Sequence, residues 1–295
     1  MTPKKIGDIR RDDFDRLTDL AMSKDRAHMR PVIQKELLHY DILYSLETEG
    51  LLDQLTFQGG TSLRMFNGSP RFSEDLDFVG GKDFTRQQLE PIRECIEQYV
   101  GERYGLDVAV KEPKDLKHDR EYADLKIEKW QVSVVTAPGQ SHIPQQRIKV
   151  EVANIDAYSR EPRALQLNYN FLPDGYGDTL VLADTLDEIM ADKLISLVNT
   201  TGYVRNRDIW DLRWLKQQGA MVRTDWVLNK VQDYRIDDYQ EKLVAMMERL
   251  PEITEGNGFR SEMTRQSMPR PMTSQVCAVS ISSQTRTQRV HRTQR

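Results

Sequence analysis

A chain of 295 residues, 38% hydrophobic and 30% charged, is large enough for one or two globular domains with a hydrophobic core. Two cysteines, Cys95 and Cys277, exclude a disulfide framework, and with neither a signal peptide nor a membrane span expected, the cytoplasm is the expected location. Residues 261–295 hold six arginines and one glutamate, so against a net charge of −4 the preceding 260 residues carry −9; such a body argues against a general phosphate-coating binder of nucleic acid. Lys111, Lys114, Lys117 and Arg120 still leave room for a local basic groove.

Residues 10–50 read as helices. Pro31 suits a first helical position, and QKELLHYDILYSLETEG carries apolar residues at helical spacing up to Gly50. LTFQ (55–58) is a short buried strand broken by Gly59-Gly60. TSLRMFN is a helix stopped by Gly68-Ser69-Pro70, and LDFVG is a strand again. A charged helix follows over about 85–100. Between 106 and 152 the stretches LDVAV, WQVSVVTA and RIKVEVA alternate as strands. VLADTLDEIMADKLISLVNT, NRDIWDLRWLKQQG and DYQEKLVAMMERL are the expected later helices. The remainder, rich in Ser, Thr, Gln and Arg, has little periodicity and reads as disordered.

The chemistry concentrates in FQGGTSLRMFNGSPRFSEDLDFVG, residues 57–80. On a strand, positions i and i+2 share a face, so Asp75 and Asp77 project together, placed to share a divalent cation. Mg²⁺, or Mn²⁺ in its place, takes hard oxygen ligands, commonly one or two carboxylates plus substrate phosphates. The glycine turn supplies the complement. Gly59 and Gly60 let backbone N–H groups approach an anion at the start of a helix, and Thr61 and Ser62 add hydroxyl donors. Together these features describe a pocket for a nucleoside triphosphate. A lone Asp-x-Asp carries no such meaning: Asp13-Phe14-Asp15 lacks the glycine turn and reads as a solvated helix face.

GGTSLR (59–64) followed by RFSEDLDF (71–78) resembles the signature of the AbiEii/AbiGii-type nucleotidyltransferase toxins, a branch of the polymerase-β-like superfamily. The similarity extends over about residues 30–215. It implies an α/β (α+β) fold with a small mixed-sheet nucleotidyltransferase core. The corresponding division is an N-terminal helical segment (1–54), the core (55–180), a C-terminal helical domain (181–258) and a disordered tail (259–295). The resemblance implies a metal-dependent transferase using NTP, with Asp75, Asp77, Lys193 and Asp208 or Asp211 as catalytic residues. Gly59, Gly60, Thr61, Ser62, Arg64, Arg71, Ser73 and Lys193 form the nucleotide-binding set. Arg64 and Arg71 have an alternative role as partners of Glu74. Superfamily sites add an acid from a neighbouring strand; Glu151 in RIKVEVANID is the candidate third metal ligand and Asp156 the fallback.

Lys193 lies within the apolar stripe of Leu186, Ile189, Met190, Leu194 and Leu197, so it must snorkel or meet an anion. The resemblance assigns it to the triphosphate. Asp208 of RNRDIWDLRWL faces inward and Asp211 lies nearer the flank; either would orient Lys193 or the attacking substrate. Trp210 and Trp214 read as packing residues. The resemblance also implies a toxin of a toxin–antitoxin or phage-defence (abortive infection) system, with an antitoxin partner and an RNA acceptor, tRNA favoured. Rival readings are transfer to a small molecule or a protein side chain, and a degenerate binding module.

Overall fold

The computed structural model describes residues 13–22, 27–113, 127–140, 142–200 and 202–266. Helix α1 (Phe14–Ala21) packs on α2 (Arg30–Thr48), which has Pro31 in its first turn as the sequence implies. Most of α2 is buried, including Glu36, His39 and Asp41, so its polar groups need internal partners. They have them. Glu36 takes Arg64, and Asp41 accepts from Arg103 at 2.7 Å and from the hydroxyls of Tyr104 and Tyr176. His39 meets the carbonyl of Glu74 at 3.1 Å.

Strand β1 (Thr56–Gln58) runs directly into α3 (Gly59–Asn67), which ends at Gly68 in the left-handed conformation. Strand β2 (Leu76–Val79) returns antiparallel to β1. Helix α4 (Ile92–Tyr104) buries Ile92, Ile96, Val100 and Tyr104, four residues apart on one face. Strands β3 (Val108–Lys111), β4 (Ile127–Val134) and β5 (Gln146–Ala153) follow. In β4 and β5 the inward residues Trp130, Val132, Val134, Ile148, Val150 and Val152 are buried, and their neighbours face outward. The last strands are β6 (Arg160–Ala164) and β7 (Leu180–Asp184), and the sheet order is β3-β4-β5-β2-β1-β7-β6. The result is a mixed α/β fold around one seven-stranded sheet among the described residues.

Helices α5 (Leu186–Asn199), α6 (Asn206–Gln217), α7 (Thr224–Asp233), α8 (Tyr239–Glu255) and α9 (Asn257–Gln266) complete the chain. Leu63 of α3 joins Ile189, Met190, Trp214 and Leu215 in a cluster that ties the helices to the core. Trp210 also packs there, in the role read from the sequence.

Three expectations change. Leu180–Asp184, read from 181 onward as the start of a helix, is strand β7, paired with β1 and β6; the helix begins only after Thr185, whose side chain caps it by accepting the Glu188 N–H. The sheet therefore continues past residue 180. Strand β6 escaped notice because it is charged, exposed and contains Pro162, as an edge strand tolerates. The tail expected from 259 onward begins as helix α9, with Phe259 and Met263 buried against Leu197, Ile209 and Met246. Residues 267–295, Cys277 among them, lie outside the described residues, as do Lys114, Lys117 and Arg120. No helix of the described residues is long and apolar enough to cross a membrane.

Candidate active site

Gly59 opens α3 with φ +79°, a conformation that L side chains rarely adopt. A Cβ there would lie 2.6 Å from Asp77 Oδ2, and one on Gly60 would meet Arg71 Nη2 at 2.5 Å and Ser73 Oγ at 2.9 Å. The two glycines thus leave room for Asp77, Arg71 and Ser73 against the helix start. Gln58 supplies no side-chain cap, so the first N–H groups of α3 have no capping side chain. The hydroxyls of the following residues are turned inward. Thr61 donates to the Asp75 carbonyl at 2.5 Å, and Ser62 Oγ is buried without a hydrogen-bond partner among the described residues.

Asp77 stands opposite Gln58 of β1 and Glu151 of β5. Asp75 immediately precedes β2 and accepts from the Lys149 N–H at 3.1 Å, with Lys149 Nζ at 3.8 Å. Burial, reinforced by Glu151 and Asp75 and opposed by Lys193, pushes the Asp77 carboxyl up to about 6. The three acids therefore share one field. Glu151 meets Lys129 Nζ at 3.2 Å. Asp156 lies elsewhere, half exposed, 3.4 Å from Lys82.

Lys193 is buried, with Nζ 2.8 Å from Asp208 and 3.0 Å from Asp211. Burial opposes its charge, but the two acids outweigh it and its pKa lies above the ordinary lysine value. Both acids are inward: Asp211, expected nearer the flank, is fully buried. Arg71 grips Asp211 with two bonds of 2.8 and 2.6 Å, while Ser196 and Arg205 contact Asp208. Despite burial, Lys193 and Arg205 hold the Asp208 carboxyl down at about 2. Three cations against two carboxylates leave one positive charge in a network whose Lys193 and Arg205 act on Asp77.

The expected pairing of Arg64 and Arg71 with Glu74 does not occur. Arg64 forms two bonds of 3.0 and 3.1 Å to Glu36, donates to the Ser69 carbonyl and lies over the Phe72 ring. Arg71 belongs to Asp211. Glu74 instead takes Lys35 at 2.5 Å and Arg207 at 4.0 Å. Arg205 and Lys35 were missed in the sequence. Arg205, three residues before Asp208 at a helix start, carried a usable signal; Lys35, 39 positions before Glu74, carried none.

A second acidic group lies behind Lys193. Asp184, Glu188 and Asp192 bring carboxylate oxygens within 4.8 Å of one another. Its cation is a lysine: Lys230 Nζ is 2.6 Å from both Glu188 and Asp192. Burial and the Asp192 charge push the Asp184 carboxyl well above the ordinary carboxylate range.

Carboxylates on a strand beside a glycine turn, facing a cationic helix network, belong to a nucleotidyltransferase. The chain is more narrowly a member of the family described as nucleotidyl transferase AbiEii toxin, type IV toxin–antitoxin system, which it matches over residues 41–275. Among solved structures, JHP933 from Helicobacter pylori is similar at 17% identity and TM-score 0.43, with 82% of this chain and 97% of that one covered. An antigenic nucleotidyltransferase-like protein from Paracoccidioides brasiliensis is similar at 16% identity and TM-score 0.38, covering 75% and 91%. No curated protein matches.

Proposed function

We propose that this chain transfers a nucleotide from NTP to an RNA acceptor, tRNA in the first instance, as the toxin of an abortive-infection system acting in the cytoplasm. The observation that carries this reading is the meeting of Asp77 with Gly59, Glu151 and the field of Lys193 in one place. Family membership adds a nucleotide substrate and an antitoxin partner.

The chemistry of the donor set suits a divalent metal, although among the described residues the acids whose oxygens all lie within 4.8 Å of one another are Asp184, Glu188 and Asp192. Asp75, Asp77 and Glu151 offer hard oxygens, and their mutual repulsion, felt in the raised Asp77 pKa, is what a cation relieves. Mg²⁺ or Mn²⁺ bound there would neutralise charge on the triphosphate and its leaving pyrophosphate. The protein contributes position and electrostatics. The N–H groups opening α3 favour phosphate, with Gly59, Gly60 and Ser73 shaping the approach. Lys193, held by Asp208 and Asp211, presents its charge from a fixed direction, and Arg71 fixes Asp211. Arg64 supports the turn from behind, through Glu36.

The test is incubation with each labelled NTP, Mg²⁺, unfractionated tRNA and cell lysate. Label on tRNA, lost in Asp77→Asn, is expected. Label on protein alone would overturn the RNA acceptor, and no incorporation into anything would overturn the transferase reading.

A further inference from the structure

We infer that the outward side of β3, β4 and β5 is the surface along which a polynucleotide acceptor lies, gripped by its phosphates. The inference rests on the RNA-acceptor reading above and extends it to named residues away from the reacting centre.

Alternation places one face of these strands in the core and the other outside. The outside face carries Lys111, Lys129, Arg147 and Lys149, all exposed, with Gln131 and Ser133 half-buried between them. Its one acid is Glu151, already part of the carboxylate group. Register orders the charges into rows. Asp77, Glu151 and Lys129 are successive cross-strand partners, as are Lys149, Gln131 and Lys111, and then Arg147 and Ser133. The basic rows start beside Asp75 and Asp77 and lead away from them. With strands about 4.8 Å apart, Lys111 sits roughly 14 Å across the sheet from β2. Phosphates held there would run directly to the carboxylates.

Charge identifies the occupant. The first 260 residues carry −9, yet this face concentrates four cations with polar side chains between them. A polyanion is the complementary partner, and the acidic surroundings confine it to this track. None of these positions is aromatic, so the face has no stacking platform and reads phosphate rather than base. Binding through it is therefore insensitive to sequence.

The test uses the full chain, a fluorescent single-stranded RNA oligonucleotide and unfractionated tRNA, with anisotropy followed across a KCl series. The variant is Lys111→Gln/Arg147→Gln, both exposed and neither touching the carboxylates. It should bind RNA roughly tenfold more weakly, with a log-affinity against log-salt slope shallower by about one per cation removed. Oligonucleotides of different sequence should be affected equally. Lys111→Glu, on the edge strand, should act in the same direction. Unchanged affinity and slope in both variants would overturn the proposal, as would wild-type binding to polyglutamate but not to RNA. Nucleotide incorporation is read separately. Labelled RNA with unaltered variant binding removes the surface and leaves the transferase. Salt-sensitive binding lost in the variant, with no incorporation by wild type into any acceptor, retains the surface and removes the transferase.

Discussion

In the proposed site, Asp77 is the residue where stability and activity would oppose each other. Its carboxyl is raised from 3.8 to about 6, by burial first and by Glu151 next. A raised acid stabilises the fold only while protonated, so that contribution is present at low pH and lost as pH rises through about 6. At pH 7 the ionised group is a liability of up to about 3 kcal/mol. Asp77→Asn should raise the melting temperature at pH 7 while lowering nucleotide transfer roughly 100-fold or more. Mg²⁺ or Mn²⁺ should raise the wild-type melting temperature and leave the variant unmoved; equal shifts in both would remove Asp77 from the metal site. His39 behaves in the opposite sense. Burial lowers its pKa from 6.5 to about 4, against the pull of the Glu74 carbonyl. The unfolded chain binds the extra proton across that window, so His39 supports the fold fully above pH 6.5 and loses up to roughly 3 kcal/mol as pH falls toward 4. Urea unfolding at pH 7 and pH 4.5 measures this, and His39→Gln should flatten the difference. An unaltered pH dependence in the variant would assign the loss to other groups.

Among the elements, α5 presents two ionic faces. One carries Lys193 toward Asp208 and Asp211, and the other carries Glu188 and Asp192 toward Lys230 of α7. Lys230 is almost fully buried, and without it Glu188 and Asp192 would lose their close cation. Lys230→Met should cost about 3–5 kcal/mol, the usual consequence of removing one partner of a buried ion pair. Chemical denaturation checks this; neutralising both acids in the same chain (Glu188→Gln, Asp192→Asn) should recover part of the loss. Helix α3 shows how a short element serves the site. Its opening glycines make room for side chains that arrive from β2 and the loop before it, and its C-terminal half buries Leu63, Met65 and Phe66.

At the level of the whole molecule, the site lies where two bodies of structure meet. In the proposed site the sheet contributes Asp77 and Glu151 and the residue before β2 contributes Asp75, while the helices contribute Lys193, Asp208 and Asp211. Helix α9 braces this junction: Glu262 reaches Asn206 at 2.9 Å and Arg207 at 3.5 Å at the start of α6, and Phe259 and Met263 fill the core beneath. A chain ended after Gly256 should lose stability by a few kcal/mol, as expected for two buried side chains, and should lose transfer activity with it. Full activity at unchanged stability would show that α9 is dispensable to α6.

The local patterns spoke clearly in the amino-acid sequence. The glycine turn, the strand with Asp77, the alternation of β4 and β5 and the helix bearing Lys193 follow from periodicity and backbone preference, which act within a few residues. Family resemblance added the roles. Long-range pairing was beyond such signals. Nothing near Arg64 announces Glu36, nor does anything near Lys35 announce Glu74, because such partners are chosen by packing across the core. Strand β7 illustrates the same limit: Val181 to Asp184 flow into a helical pattern, and only pairing with β1 and β6 makes them a strand. By itself the sequence marked the residues proposed to carry the chemistry and the kind of element most of them sit on, Asp75 falling just before β2 rather than on it. The tertiary structure alone decided which charges face one another, since burial makes an unpaired ion costly and so selects its partner through space rather than along the chain.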